Sequence, residues 1–462
     1  MIYKEEVTVE DFVDKEFSSF VTSRFEERIP GFDGLIDPQR KVLYTAFTVT
    51  QKMKSKKGYN VASLANHTKT ATAYEKGAMN LEDVVKNQCS TRLPIFIGEG
   101  TFATKTRGGS AARYIDVVFP KYIDILFPPI DNDVLLNYQF DENEQKYVEP
   151  TTYNPIIPLL LVNGNSQIGV GYSVDVLPRS VRTVINTLIE FTKGNKLNST
   201  NWRIPISIPH FIGKIDRVGA KRDRQWLSKG VYRWDGNTLI ITEYKYDQDH
   251  YKYVEHLEKL KREGYILSHL NESFDNDIKF TIKCLKKTRD MTDKQIRKLF
   301  MLDRSTTEQI NYINNNTLYQ FTDETTYIKH WYYERLNLVG VRKTWRLNDI
   351  SHELKLLRSQ IFYMYQIIDK KLDISSITME KLLEFLRSKD EIIVDINPNT
   401  KIDKGYEYIT VMRITAMTTD NIAKKKKRIK ELEDEFKTLE STETTELFRN
   451  DLSALSVAVF GK

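Results

Sequence analysis

The stretch LNDISHELKLLRSQIFYMYQII, residues 347–368, sets the architecture of the last third of the chain. Its apolar residues Leu347, Ile350, Leu354, Leu357, Ile361, Met364 and Ile368 recur in alternating steps of three and four, with charges between them. That is the pattern of a helix that buries one narrow seam against another helix. A second seam, Ile429, Leu432, Phe436 and Leu439, repeats the same steps downstream. Between the two, residues 374–415 carry their own apolar set, including Leu382, Leu383, Phe385 and Leu386. Two seams around a small insert predict an antiparallel coiled-coil arm with a globular tip over residues 326–462. The run Lys424-Lys425-Lys426-Lys427-Arg428 reads as a solvated face at the start of the return helix, not as a targeting signal.

Upstream the period changes. Runs such as Ile156–Val162, Thr238–Thr242 and Ile278–Ile282 are strand-like, and they predict a mixed α/β body over residues 131–325. Its opening acids, Asp131, Asp133, Asp141, Glu142 and Glu144, lack a glycine-centred calcium pattern and read as a solvated connector. Residues 1–130 read as short helices separated by turns. Thr8 caps the first of these, with Glu10 and Asp11 in its opening turn. Pro30-Gly31 and Asp33-Gly34 precede a helix with Val42, Leu43, Ala46 and Phe47 on one face. Short helices under a basic surface predict a helix-turn-helix or winged-helix module.

A length of 462 residues implies roughly two to four domains. A hydrophobic content of 40% with 11% aromatics excludes a disordered or fibrous chain. No apolar run has membrane-spanning length, and Met1-Ile2-Tyr3-Lys4-Glu5-Glu6 lacks the shape of a signal peptide. Cys89 and Cys284 match no metal or disulfide spacing and read as buried reduced thiols of a cytoplasmic protein. The net charge of +6 is mild, so any polyanion site must be local. From Pro38 to Tyr74 the cations Arg40, Lys41, Lys52, Lys54, Lys56, Lys57 and Lys69 stand without a single acid. Thr101–Ile115 is acid-free as well and holds Lys105, Arg107 and Arg113. Cations without balancing acids, interleaved with aromatics, suit phosphate neutralisation and point to nucleic acid.

No nucleotide-binding glycine loop, nucleophile elbow or paired-histidine zinc motif is present. The remaining chemical candidate is Gly108-Gly109-Ser110-Ala111-Ala112-Arg113-Tyr114. A phenol of pKa about 10 needs help to attack a phosphodiester, and an adjacent guanidinium offers it by stabilising charge on the phosphorus oxygens. Taken alone, an Arg-Tyr pair is as compatible with ordinary packing.

Read in order, four blocks change that. They are Arg28-Ile29-Pro30-Gly31-Phe32-Asp33-Gly34-Leu35 with Gln39-Arg40-Lys41-Val42-Leu43-Tyr44; Val61-Ala62-Ser63-Leu64-Ala65 to Tyr74-Glu75-Lys76-Gly77; Gly98-Glu99-Gly100-Thr101-Phe102 to Ala112-Arg113-Tyr114; and Tyr153-Asn154-Pro155-Ile156-Ile157-Pro158 through Asn163-Gly164 to Ile168-Gly169-Val170-Gly171. Together they resemble the DNA breakage-reunion part of type IIA topoisomerases, and the likeness covers Phe12 to about Leu455. The pattern is nearest to the central part of eukaryotic topoisomerase II and to T-even-phage members of the family.

The resemblance implies a multidomain α+β fold: a winged-helix DNA-gate domain over 1–130, a tower or shoulder domain over 131–325, and a coiled coil with an exit-gate tip. It implies that Tyr114 attacks one strand and becomes linked to the DNA 5′-phosphate while a second copy cuts the other. Arg113 would hold the scissile phosphate, Arg40 would assist the leaving 3′-oxygen, and Ile168 would wedge between base pairs. Lys41, Lys105, Arg107 and Asn163 are the further DNA contacts expected. Three departures stand out, one of them the short Ser110-Ala111-Ala112 approach to Tyr114. Glu75 and Lys76 replace the family's paired histidines, so Lys76 is expected to supply charge where a histidine would also move protons. Ile36-Asp37 replaces a Lys-Pro.

The sequence holds no ATP-operated clamp and no acidic magnesium-binding module, so Mg2+ and ATP are expected on a partner large subunit, giving a heterotetramer with a homodimer of this chain at its DNA gate and exit gate. With no wrapping domain after the coiled coil, relaxation and decatenation are expected over supercoiling, in the bacterial cytoplasm of a phage host. The rival is a non-catalytic dimeric DNA-bending protein on the same scaffold. A tyrosine recombinase would need a different set of arginines and histidine.

Overall fold

The computed structural model describes residues 8, 9, 17, 21, 27–55, 57–141, 145–169, 171–195, 204–219, 224–314, 317–373, 377–413 and 417–461. The opening Met1–Glu6, together with Glu10, Asp11, Phe12, Lys56, Glu142, Glu144, Val170, Ile374 and Thr415, lies outside them. The chain forms two compact units, 1–333 with 451–462, and 334–450.

In the first unit, helix α1 (Asp37–Thr48) starts at a proline in its first turn, and the Gln39 side chain accepts from the Ile36 N–H. Helix α2 (Val61–Ala71) begins at Asn60, whose side-chain oxygen accepts from the Ser63 N–H at 3.2 Å. It buries Val61, Leu64, Ala65 and Thr68, a stripe at helical spacing, and leaves Ser63, Asn66, His67, Lys69 and Thr70 exposed. Helix α3 (Ala78–Cys89) packs Leu81 and Val85 inward. Strands β1 (Tyr59–Asn60), β2 (Ile97–Glu99) and β3 (Asp116–Val118) form an antiparallel sheet with β3 central, pairing Asn60 with Asp116 and Glu99 with Asp116.

The Ile156–Val162 run is not a strand. Leu159–Asn163 is a short helix after Pro158, with Leu159 to Val162 all buried. A short apolar run buried on every side carries no period to separate the two structures, and Pro155 and Pro158 remove ladder donors. Next comes a hairpin of β4 (Asn165–Ile168) and β5 (Ser173–Val176), in register Ile168 with Ser173. Thr238–Glu243 and Phe280–Cys284 are strands, the central pair of a four-stranded sheet. Their core includes Leu239, Ile241, Tyr253, Leu257, Phe280 and Ile282. Cys284 is buried and Cys89 half-buried, both unbridged, and burial pushes the Cys89 thiol up to about 12. The buried Arg179–Glu308 ion pair at 2.6 Å is completed by the Trp226 indole N–H donating to Glu308.

In the second unit, Ile350, Leu354 and Leu432 are buried together, with Leu357, Ile429, Phe436 and Leu439 packed on them. Arg346 pairs with Glu435, and Arg428 with Glu353, so the helices Glu324–Ile368 and Thr419–Ser441 run antiparallel. In the intervening segment Leu372, Leu382, Leu386, Ile392 and Ile409 form a further core with Tyr363 of the first helix. Within the lysine run only Lys425 departs from a solvated face: it is half-buried and donates to Gln360 at 2.6 Å. The tail also differs from the expected 326–462 grouping. Residues 451–462 belong to the first unit, where Leu452 and Leu455 are fully buried and the Arg182 guanidinium lies 4.1 Å from the Phe460 ring centre. Among the described residues, no helix is long and apolar enough to cross a membrane.

Candidate active site

Tyr114 ends a 3₁₀ turn, Ala112–Tyr114, that leads into β3. Ala112 and Ile115 on either side are buried, while Tyr114 is 69% exposed. The apolar neighbours anchor the turn and the phenol projects from it. The Arg113 guanidinium lies 4.8 Å from the Tyr114 ring centre, a cation–π arrangement that keeps a positive charge beside the hydroxyl-bearing ring. Asn60 grips the turn from below. Its amide donates to the Arg113 carbonyl at 3.1 Å and the Ile115 carbonyl at 3.3 Å. Close by, the Lys52 ammonium sits 5.5 Å from the Tyr59 ring centre, and the Tyr59 hydroxyl is 3.4 Å from His67 Nδ1. Lys52, Lys57, Lys69 and Arg113 are exposed, and among the described residues none has a carboxylate within ion-pair distance.

A separate open cleft of about 590 Å³ holds Arg40, Lys41 and Lys76, with Glu27, Asp37, Tyr74 and Glu75 also in its wall. Arg113 and Tyr114 are not part of that wall. Arg40 is buried. Its Nε and Nη2 donate to the two oxygens of Asp33 at 2.8 and 3.1 Å, and Nη2 also reaches the Leu35 carbonyl. Burial opposes the charge, but the bidentate Asp33 carboxylate outweighs it and holds the guanidinium above its ordinary value. Among the described residues Nη1 has no hydrogen-bond partner. A Cβ at Gly31 would come within 2.7 Å of Arg40 Nη2 and 3.0 Å of Asp33 Oδ1, so a larger residue there would push on this pair.

The other expected contacts are placed less simply. Lys41 is buried between Asp37 and Glu149, each at 2.6 Å, so its charge is matched inside the chain rather than presented to a polyanion. Lys76 is paired with Glu27. Lys105 is bound by Glu243 at 2.7 Å and by the His210 carbonyl, and Arg107 pairs with Asp275 at 2.5 Å. Asn163 clasps the Leu93 backbone, accepting from its N–H at 2.7 Å and donating to its carbonyl at 3.1 Å. Ile168, at the end of β4, is 82% exposed. Sequence reasoning passed over Asp33, Glu149, Glu27 and Asn60. Asn60 had a readable signal as a helix cap; the three acids had none, since what marks them is the cation each meets across the fold.

A match to the A-subunit family of DNA gyrase/topoisomerase IV spans residues 29–453. The chain belongs to that family. Among relatives of this gyrase/topoisomerase IV family member, mitochondrial DNA topoisomerase 2 of Dictyostelium discoideum is 28% identical over 464 residues, covering 97% of this chain and 35% of its own length. Human DNA topoisomerase 2-alpha is 28% identical over 400 residues, covering 82% of this chain and 25% of its own. The chain thus spans a quarter to about a third of these relatives. Its fold matches the Plasmodium falciparum topoisomerase II DNA-binding, cleavage and re-ligation domain at a TM-score of 0.83 and 24% identity, over 99% of this chain and 65% of that one.

Family members use Mg2+, and the residues here do not fit a site for it. Asp33, Asp37, Glu149 and Glu27 are each tied to a cation. Among the described residues no group of three His, Cys, Asp or Glu is placed to hold a metal ion.

Proposed function

We propose that this chain is the DNA-cleaving and rejoining part of an ATP-dependent type IIA topoisomerase, which passes one duplex through a transient double-strand break. The observation that carries this reading is an exposed phenol on a backbone-anchored turn with a guanidinium against its ring. The Tyr114 hydroxyl attacks a backbone phosphorus. As the bond to the phenolic oxygen forms, the bond to the 3′-oxygen breaks; the phenol proton passes to solvent and the 3′-oxygen takes one up. Reversal reseals the strand, because the aryl phosphodiester retains the bond energy. Arg113 offsets charge on the phosphate beside Tyr114, while Arg40, through Nη1, and Lys76 act on the leaving oxygen from the separate cleft, which the second copy brings to that phosphate.

Ile168 enters the duplex as an apolar wedge and bends it. The opposite strand is cut by a second copy, with a winged-helix gate formed by the first helices and a coiled-coil exit gate formed by the helical unit. Magnesium carboxylates and the ATPase belong to a partner subunit in a heterotetramer, and a phage origin would place the assembly in bacterial cytoplasm. What supports a partner is that the cleft acids Glu27 and Asp37 are each paired with one of its cations, Lys76 and Lys41. The Glu75-Lys76 pair favours one other reading, a non-catalytic dimeric DNA-bending protein.

One assay separates them. With DNA, magnesium, ATP and the partner present, the wild-type chain is expected to yield a detergent-stable link to DNA 5′ ends, and Tyr114→Phe none. Bending without any wild-type adduct would establish the binder instead. Relaxation by this chain alone would remove the partner from the account.

A further inference from the structure

The nucleophile turn is anchored by a side chain that no motif marks. Asn60 precedes α2 and pairs across the sheet with Asp116. Its amide nitrogen has three acceptors in reach: the carbonyls of Arg113 and Ile115, at 3.1 and 3.3 Å, and Asp116 Oδ1 at 3.2 Å. The two carbonyls belong to the residues on either side of Tyr114. Asn60 Oδ1 faces the other way and accepts from the Ser63 N–H. The next residue continues the grip, since the Val61 N–H donates to the Ile115 carbonyl at 3.1 Å. One residue therefore ties the start of α2, whose outer face carries His67 and Lys69, to the peptide group just before the exposed phenol and to the one that follows Ile115.

From this geometry we infer that Asn60 is a positioning residue for strand cleavage, setting the direction in which the Tyr114 phenol leaves the surface. The inference rests on the reading of Tyr114 as the nucleophile. The physical reason is that the Tyr114 side chain has few restraints of its own. Being mostly exposed, it is aimed chiefly by its backbone, and the backbone is aimed by the Asn60 amide. A reacting atom misplaced by about 1 Å can lose on the order of 100-fold in rate. The two ends of Asn60 are separable by substitution. Asn60→Ser keeps an oxygen that caps α2 but removes the donor that reaches the carbonyls. Asn60→Asp keeps the cap and replaces the donor with an acceptor.

The test uses the full chain assembled with its metal- and ATP-bearing partner, magnesium and a linear duplex, and measures DNA affinity, adduct formation rate and melting temperature together. Asn60→Ser is expected to bind DNA within about twofold of wild type and to form adduct roughly 10- to 100-fold more slowly, with Asn60→Asp at least as slow. A purely structural role would lower affinity, rate and melting temperature in step, and that outcome overturns the inference. So does adduct formation by Asn60→Ser at the wild-type rate. Tyr114→Phe is run beside them. If it still forms the 5′ link, the nucleophile assignment itself fails; if it does not, the Asn60 result judges the positioning role alone.

Discussion

At the scale of single residues, the cleft cations divide by how completely the chain has matched them. Arg40 is buried against Asp33, and Asp33 also accepts from the backbone N–H groups of Leu35 and Tyr153, each at 2.9 Å. Removing the acid strands a buried guanidinium and two buried donors at once. Breaking a buried pair in this way costs about 3–5 kcal/mol, so Asp33→Ala is expected to lower stability to chemical denaturation by that order. Lys76 contrasts with it. Its side chain is 40% exposed and its Glu27 partner 22%, and a solvent-screened pair contributes about 0–1 kcal/mol. Lys76→Ala should therefore leave the denaturation midpoint almost unmoved while slowing adduct formation. An unfolding shift as large as that of Asp33→Ala would make Lys76 a structural residue and remove it from the cleavage proposal.

At the scale of elements, what the sequence disclosed follows from what a local pattern can encode. The seam from Leu347 to Ile368 was legible because a helix period is a property of the segment itself, and its partners at Leu432 and Phe436 repeat it. The cap at Asn60 was equally local, whereas its grip on the Arg113 and Ile115 carbonyls joins positions more than fifty apart in the chain and leaves no trace in either neighbourhood. Charge misled for the same reason. The acid-free stretch that holds Lys41 begins one residue after Asp37, which pairs with it, and Glu149 and Glu243 arrive from elsewhere in the fold to pair with Lys41 and Lys105. The hairpin of β4 and β5 shows the opposite case. The family resemblance implied that Ile168 enters DNA, and the placement of the hairpin end leaves it 82% exposed. An isoleucine so exposed contributes little to folding, so Ile168→Ala is expected to keep the melting temperature within a few degrees. If the side chain unstacks a base step, the same variant should bend DNA less, seen as a longer end-to-end distance by fluorescence transfer on a doubly labelled duplex. Unchanged bending would remove the wedge.

At the scale of the whole molecule, the formal charge of +6 says little, because many of its cations are matched internally. Around α2 and the Tyr114 turn, the exposed cations with no carboxylate in ion-pair distance among the described residues are Lys52, Lys57, Lys69 and Arg113. Counterion release makes this countable. Each phosphate neutralised on B-form DNA contributes about 0.9 to the slope of log affinity against log salt. Lys69 lies on the outer face of α2 without an acid partner, so Lys69→Gln should reduce the slope by about 0.9 per protomer. Lys105 is held by Glu243 and the His210 carbonyl, and releasing it to a phosphate would leave a nearly buried carboxylate unmatched. Lys105→Gln should then leave the slope unchanged. Affinity measured between about 50 and 200 mM salt, the range over which phosphate contacts tell most strongly, decides between the two arrangements. If Lys105→Gln flattens the slope as much as Lys69→Gln does, the internal pairing yields to DNA, and the basic surface extends past α2 to the strand-rich body.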